Sequence, residues 1–162
     1  MEASKPLVST LRDAFVRIIK ARDDISKVHP SRSNAKERKR IKDRYYVGTT
    51  VQAWEVDYSE VQPADAREHA AGDLYFRKHA FELIHWYGPY NDVQETEVDF
   101  IDKLHEVFDE ISANEEVFSD LNVEITERTV TAPSHTRVKL HGILVHKGIL
   151  AVEVTARIFK PS

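Results

Sequence analysis

Between Thr96 and Ser112 the residues Val98, Phe100, Ile101, Leu104, Val107, Phe108 and Ile111 recur at intervals of three and four, one apolar stripe with helical period. Thr96 stands where an N-cap belongs. Asp99 follows three residues later, where the positive end of a helix favours a carboxylate, and Asn114 supplies a stop. Ser4 to Arg22 carries a second helical pattern, with Pro6 tolerated in the first turn and Leu7, Val8, Leu11, Phe15, Ile18 and Ile19 on one side. Two helices with one broad apolar face each require a sheet to cover them.

The sheet is written elsewhere in the chain as alternation and β-branched content. Tyr45 to Val56 reads as a first strand, with Gly48 marking a bulge or bend. Leu74 to Tyr87 reads as a long second strand, with Phe81, Leu83, His85 and Tyr87 on one face and Ala80, Glu82, Ile84 and Trp86 on the other. The turn residues Gly88-Pro89-Tyr90-Asn91 end it. Three more strands are predicted at Asn122 to Val130, Thr136 to Val145 and Ile149 to Phe159, the last two joined by a hairpin at His146-Lys147-Gly148. Glu115 to Leu121 reads as a short turn of helix. Asp57 to Asp73 reads as a long connection, a length that is uncommon without a role. The expectation is an α+β fold, mainly antiparallel sheet with two principal helices packed on it, in the order α-β-β-α-β-β-β.

The chain has 162 residues, 41% of them hydrophobic, which predicts one domain spanning 1–162 with a real core. Charged residues make up 31%, and no apolar run approaches the roughly 20 residues of a membrane-spanning helix, so no membrane partner is expected. The opening Met1-Glu-Ala-Ser-Lys-Pro6 lacks the pattern of a secretory signal, and with no cysteine the chain forms no disulfide and offers no thiolate.

Charge is distributed more tellingly than its total of −4. From Arg32 to Arg44 the basic residues Arg32, Lys36, Arg38, Lys39, Arg40, Lys42 and Arg44 stand against Glu37 and Asp43, a net of +5. This run follows a turn-rich break at His29 to Asn34, and with the isolated Ile41 giving it little to bury it is expected to be an exposed loop or short helix. From Asp92 to Glu127 thirteen acidic residues stand against Lys103, a net of −12. Copies of a chain so polarised attract each other head to tail if the two patches lie on different faces.

Chemistry is harder to find. Eight histidines invite a metal reading, but His79 and His85 lie about 20 Å apart along one strand, and no H-x-x-x-H or H-E-x-x-H spacing occurs. The sequence has no Gly-x-Ser-x-Gly and no glycine-rich phosphate loop. Asp99, Asp102, Glu106, Asp109 and Glu110 decorate the polar side of an amphipathic helix, whereas catalytic carboxylates need a buried setting; the five stand instead as a candidate acidic interface between subunits. No catalytic, cofactor-binding or metal residue is therefore assigned. The basic run is a candidate for phosphate contact without base specificity, for an acidic protein surface, or for solvation alone. Its only interleaved aromatics are Tyr45 and Tyr46 at the end.

Taken in order, the elements resemble the tail-terminator and tail-completion proteins of long-tailed bacteriophages. The segments that carry the likeness are Leu11 to Lys20, Phe81-Glu-Leu-Ile-His-Trp-Tyr-Gly88, Glu97 to Ser112 with Leu121 following, and Leu150 to Phe159. The basic insertion at Arg32 to Arg44 and an extra hairpin strand set this chain apart from the smallest members of that group. The resemblance implies a structural virion protein of the tail or neck, assembled in the host cytoplasm, that caps the tail tube as an oligomeric ring, commonly a hexamer. Its partners would be other copies of itself, the tail tube protein and the head–tail connector, with DNA in the channel. A head–tail stopper or adaptor is a sister reading. The rival classes are a nucleic-acid-binding α+β domain using Arg38, Lys39, Arg40, Lys42 and Arg44, and a small enzyme with a site between the sheet and the 57–73 connection.

Overall fold

A computed structural model describes residues 7–33, 36–63, 74–91, 95–113 and 124–159. The fold is α+β, with three helices and a seven-stranded mixed sheet among these residues. In chain order the elements are α1 (Leu7–Arg22), β1 (Lys27–His29), α2 (Arg38–Tyr45), β2 (Tyr46–Val47), β3 (Thr50–Pro63), β4 (Leu74–Gly88), α3 (Thr96–Ala113), β5 (Glu124–Val130), β6 (Ser134–Leu140) and β7 (Ile143–Phe159). The strands lie in the order β1-β3-β4-β7-β5, with β2 also on β3 and β6 also on β7.

Every described pairing is antiparallel except that of β1 with β3. Two parallel strands need a crossover that passes over one face of the sheet, and here α2 lies in that crossover. Strand parity then sorts the helices. In β3 the even residues Trp54 and Val56 pack in a core with α1 and α3, while Val51 and Ala53 pack with Ile41 and Tyr45 of α2. In β4 the residues Phe81 and Leu83 join the first core and Trp86 the second, and in β7 Leu150, Val152 and Val154 join the first and Val145 the second. Because successive strand residues face opposite ways, α1 and α3 cover one face and α2 covers part of the other.

The main core explains why α1 and α3 are helices. Leu11, Ala14, Phe15, Ile18 and Ile19 meet Phe100, Leu104, Val107 and Ile111 over the sheet, and Phe15 sets its ring edge-on to Phe81 at 5.1 Å. Full burial of one such side chain contributes about 1.5–3 kcal/mol. Val98, expected in the α3 stripe, is instead 52% exposed, since it lies in the first turn beyond the edge of that core. Thr96 does not cap the helix. It is the first helical residue, and its hydroxyl accepts from the Asn91 backbone N–H at 2.9 Å and donates to the Asn91 carbonyl at 3.0 Å, closing the turn that leads into α3.

Several further expectations are corrected. Of the two forms expected for the basic run at 32–44, exposed loop or short helix, residues 38–45 take the helix, α2, because Ile41 and Tyr45 sit one turn apart and both find apolar partners, which buries those two side chains. Tyr45 ends that helix rather than opening a strand. Gly48, at φ +65°, forms with Thr49 the two-residue loop between β2 and β3, whose register pairs Val47 with Thr50. The connection expected from Asp57 runs as strand through Pro63, and residues 64–73 lie outside the described residues, as does the helical turn expected at 115–121. The break at His29 is preceded by β1, a strand the sequence reading lacked.

The largest correction concerns the last hairpin. Its turn is His141-Gly142, both in the left-handed region (φ +50° and +85°) as two-residue hairpin loops require. His146-Lys147-Gly148 lies inside one unbroken strand, β7, paired to both β4 and β6. Gly148 is there for space. A Cβ on it would stand 2.8 Å from Leu104 Cδ2 and from Phe100 Cζ, so the absence of a side chain lets α3 approach the sheet. Strands β5 and β6 are successive parts of one edge laid along β7 and separated at Thr131 to Pro133, where proline interrupts the ladder.

Candidate interaction surfaces

The seven basic residues of the 32–44 run have different fates. Arg44 is turned inward. Its guanidinium donates to the Glu55 carboxylate, from Nη2 at 2.9 Å and from Nε at 3.2 Å, and to the Ser31 carbonyl. Glu55 is fully buried on β3 and also accepts from the Ser33 backbone N–H at 2.9 Å, the Tyr45 hydroxyl at 3.1 Å and, through its other oxygen, the Trp86 indole at 2.7 Å. A buried carboxylate is tolerated when its lone pairs are met in this way. Burial, and then the charge of Glu55, pushes the Tyr45 hydroxyl up to about 12, so it remains a donor. This node pins both ends of the 31–45 segment to the sheet.

Arg32 lies 3.6 Å from Asp57 and 3.3 Å from Glu82, across two strands. The remaining five basic residues, Lys36, Arg38, Lys39, Arg40 and Lys42, are exposed. Arg40 reaches Glu37 at 3.4 Å, one helical turn back, and with Lys36 borders an open cleft of about 770 Å³. Arg38 and Lys42, four residues apart and so on one side of α2, border a smaller cleft of about 160 Å³ against the β6–β7 hairpin tip. Ile41, Tyr46 and Ile143 form the apolar part of that smaller cleft. The expected basic patch is therefore carried largely by α2, with Lys36 just before the helix and with Arg32 and Arg44 subtracted from it.

The acidic candidates behave similarly. Asp99, Asp102, Glu106 and Asp109 are exposed along α3, while Glu110 is half-buried and paired with Arg22 at the end of α1. Glu97, not singled out from sequence, holds Arg137 at 3.3 Å and lies 3.7 Å from His135, tying the start of α3 to β6. The acidic ridge on α3 and the basic ridge on α2 thus stand on opposite faces of the sheet.

A second buried polar node lies under the helix face. Asp23, just past α1, accepts from the Ser26 hydroxyl at 2.5 Å and the Trp54 indole at 3.2 Å, and the Lys103 ammonium donates to its other oxygen at 3.4 Å. Burial pushes its carboxyl up, but the Ser26 bond, the Lys103 charge and the Trp54 bond outweigh this and hold it below the ordinary 3.8. His85 stacks on Trp54 at 4.2 Å with 6° between the planes, and on Phe100 at 5.4 Å; His146 stacks on the far side of Phe100 at 5.0 Å. Neither ring nitrogen of His85 has a hydrogen-bond partner among the described residues. Burial holds this imidazole neutral, its pKa pushed down to about 3 despite the Asp23 carboxylate 3.8 Å away.

The Asp23 node is buried under the helices, whereas Ser33 and Arg44 of the Glu55 node border the open cleft of about 770 Å³; each node joins segments distant in sequence and so fastens the fold. Among the described residues no group of three or more histidine, aspartate or glutamate side chains is arranged to hold a metal ion. Among the described residues no helix is long and apolar enough to cross a membrane. The sequence matches no protein-family model and no curated protein.

Proposed function

We propose that this chain is a structural virion-assembly protein, a tail terminator or neck component of a long-tailed phage that caps the tail tube as a ring and joins it to the head connector. The observation that carries this reading is the placement of two oppositely charged helices on opposite sides of one sheet. A subunit built this way presents different patches to its two neighbours, the requirement for a heterologous contact that closes into a ring. The order of helix, sheet, acidic helix and closing antiparallel strands supports the resemblance described above.

The nucleic-acid reading has one supporting observation, the exposure of Arg38, Lys39, Arg40 and Lys42 on a single short helix. Against it, Tyr45 is buried beside Glu55 and packs at 5.6 Å on Trp86, which leaves Tyr46 as the one aromatic of the run that a base could stack on. Reversal of charge at Arg38, Lys39 and Arg40 separates the two. Under the assembly reading it reduces self-association and leaves nonspecific DNA binding negligible before and after. A salt-sensitive shift of DNA that the reversal abolishes overturns the assembly reading.

A further inference from the structure

Two exposed apolar residues sit at complementary places on the opposite faces. Val98, 52% exposed, lies in the first turn of α3, with Asp99 beside it and Asp102 one turn on. Ile143, 38% exposed, forms with Ile41 and Tyr46 the apolar part of the cleft of about 160 Å³ that Arg38 and Lys42 border. A cleft of this size takes one aliphatic side chain. Its apolar floor between two cations selects one that is flanked by carboxylates. Val98, set among the exposed carboxylates of α3, is such a side chain.

The spacings agree. At 1.5 Å of rise per residue, Arg38 and Lys42 are separated by about 6 Å along α2, and Asp99 and Asp102 by about 4.5 Å along α3. Pairs of these lengths can face each other across two crossing helices while the valine fills the cleft between them. Because Val98 and the cleft lie on opposite faces of the sheet, the contact forms between molecules.

We infer that the first turn of α3 of one subunit docks in the cleft between α2 and the β6–β7 hairpin tip of a second copy, with Val98 against Ile41, Tyr46 and Ile143, and with Asp99 and Asp102 on Arg38 and Lys42. This inference rests on the ring-assembly reading and specifies its contact. The occupant is a second copy of the chain because the same molecule carries the plug, the socket and the matching charges. The apolar plug supplies a short-range contact and the charges supply orientation and encounter rate, so assembly is slowed by salt.

The chain contains no cysteine, which permits a direct test with two singly substituted proteins, Val98→Cys and Ile143→Cys. Both positions are exposed, so folding is not at stake. Each protein is oxidised alone and as an equimolar mixture with copper–phenanthroline, then resolved without reductant, and light scattering is recorded on the unsubstituted protein at the same concentration. The docking contact predicts a disulfide-linked dimer several-fold more abundant in the mixture than in either protein alone. Adding Arg38→Glu and Lys42→Glu to the Ile143→Cys protein removes that excess, and adding Asp99→Lys and Asp102→Lys to its partner restores it. Oligomers by light scattering without excess dimer in the mixture overturn this contact and leave the ring reading standing. Absence of both overturns the contact and the ring reading together.

Discussion

His85 provides a quantitative test of the buried stack that seats α3 on the sheet. The imidazole lies between Trp54 and Phe100, is wholly buried, and titrates at about 3 against an ordinary value of 6.5. The groups facing it are Asp23, which favours the proton, and Lys103 and His146, which oppose it. Below pH 6.5 the unfolded chain takes up a proton at this position while the folded chain does not, so stability falls as pH falls. The contribution is complete above the unfolded value and is lost between 6.5 and about 3. Integration of that difference gives a loss of about 2 kcal/mol between pH 7 and pH 5 from this one residue. That is a substantial part of the roughly 5–15 kcal/mol by which domains are stable. His146 and His29 are also lowered, chiefly by burial, and add losses of the same sign. The His85→Phe variant keeps an aromatic ring in the stack and removes the titration, and His85→Leu serves as a second, smaller replacement. Urea unfolding at pH 7 and pH 5, followed by circular dichroism, gives the pH-dependent loss for each protein independently of its absolute stability. The wild type should lose about 2 kcal/mol more than either variant. Equal losses in wild type and variants would refute the assignment of His85 as a neutral, unprotonated buried group.

Three further outcomes follow from particular contacts. Gly148→Ala places a methyl group 2.8 Å from Leu104 and Phe100 and should destabilise by about 1–3 kcal/mol through overpacking; an unchanged urea midpoint would show that α3 does not sit as closely as described. Arg44→Ala strands the buried Glu55 carboxylate and should cost about 3 kcal/mol, whereas Lys42→Ala, on the exposed side of α2, should stay within about 0.5 kcal/mol. Thermal unfolding of the pair decides whether the basic run divides in this way. Limited proteolysis of Glu55→Ala should cut within residues 30–45 faster than in the wild type, since that change removes the acceptor shared by Ser33, Arg44 and Tyr45.

Much of the fold was legible where periodicity is long. The stripes of α1 and α3 and the alternation of β4 have boundaries close to those expected, because each keeps one period over many residues. The misreadings have local causes. Strand β1 is three residues long, too short for alternation to show, and its pairing partner Ala53 to Glu55 is about 26 residues away. The C-terminal hairpin was misplaced because Lys147-Gly148 has the composition of a turn. What put glycine there is the approach of α3, a fact about tertiary packing. The true turn, His141-Gly142, hid between Leu140 and Ile143, which continue the apolar pattern on both sides.

The candidate surfaces were half legible. Net charge located both patches, but only long-range partners separate Arg32 and Arg44 from the exposed set, and those partners lie 11 to 50 positions away in sequence. Glu55 and Asp23 carry no local signature at all. A lone glutamate between Trp54 and Val56 reads as an ordinary polar position on a strand, and its role becomes visible only once Arg44, Tyr45 and Trp86 converge on it.

On the reading proposed above, this molecule works by assembling with itself through oppositely charged faces. The most direct test of that reading is the mass of the purified protein in solution by light scattering at low and high salt, with negative-stain images of the largest species. The account predicts closed rings that weaken as salt is raised. A protein that remains monomeric at every salt concentration and shifts nonspecific DNA would contradict it.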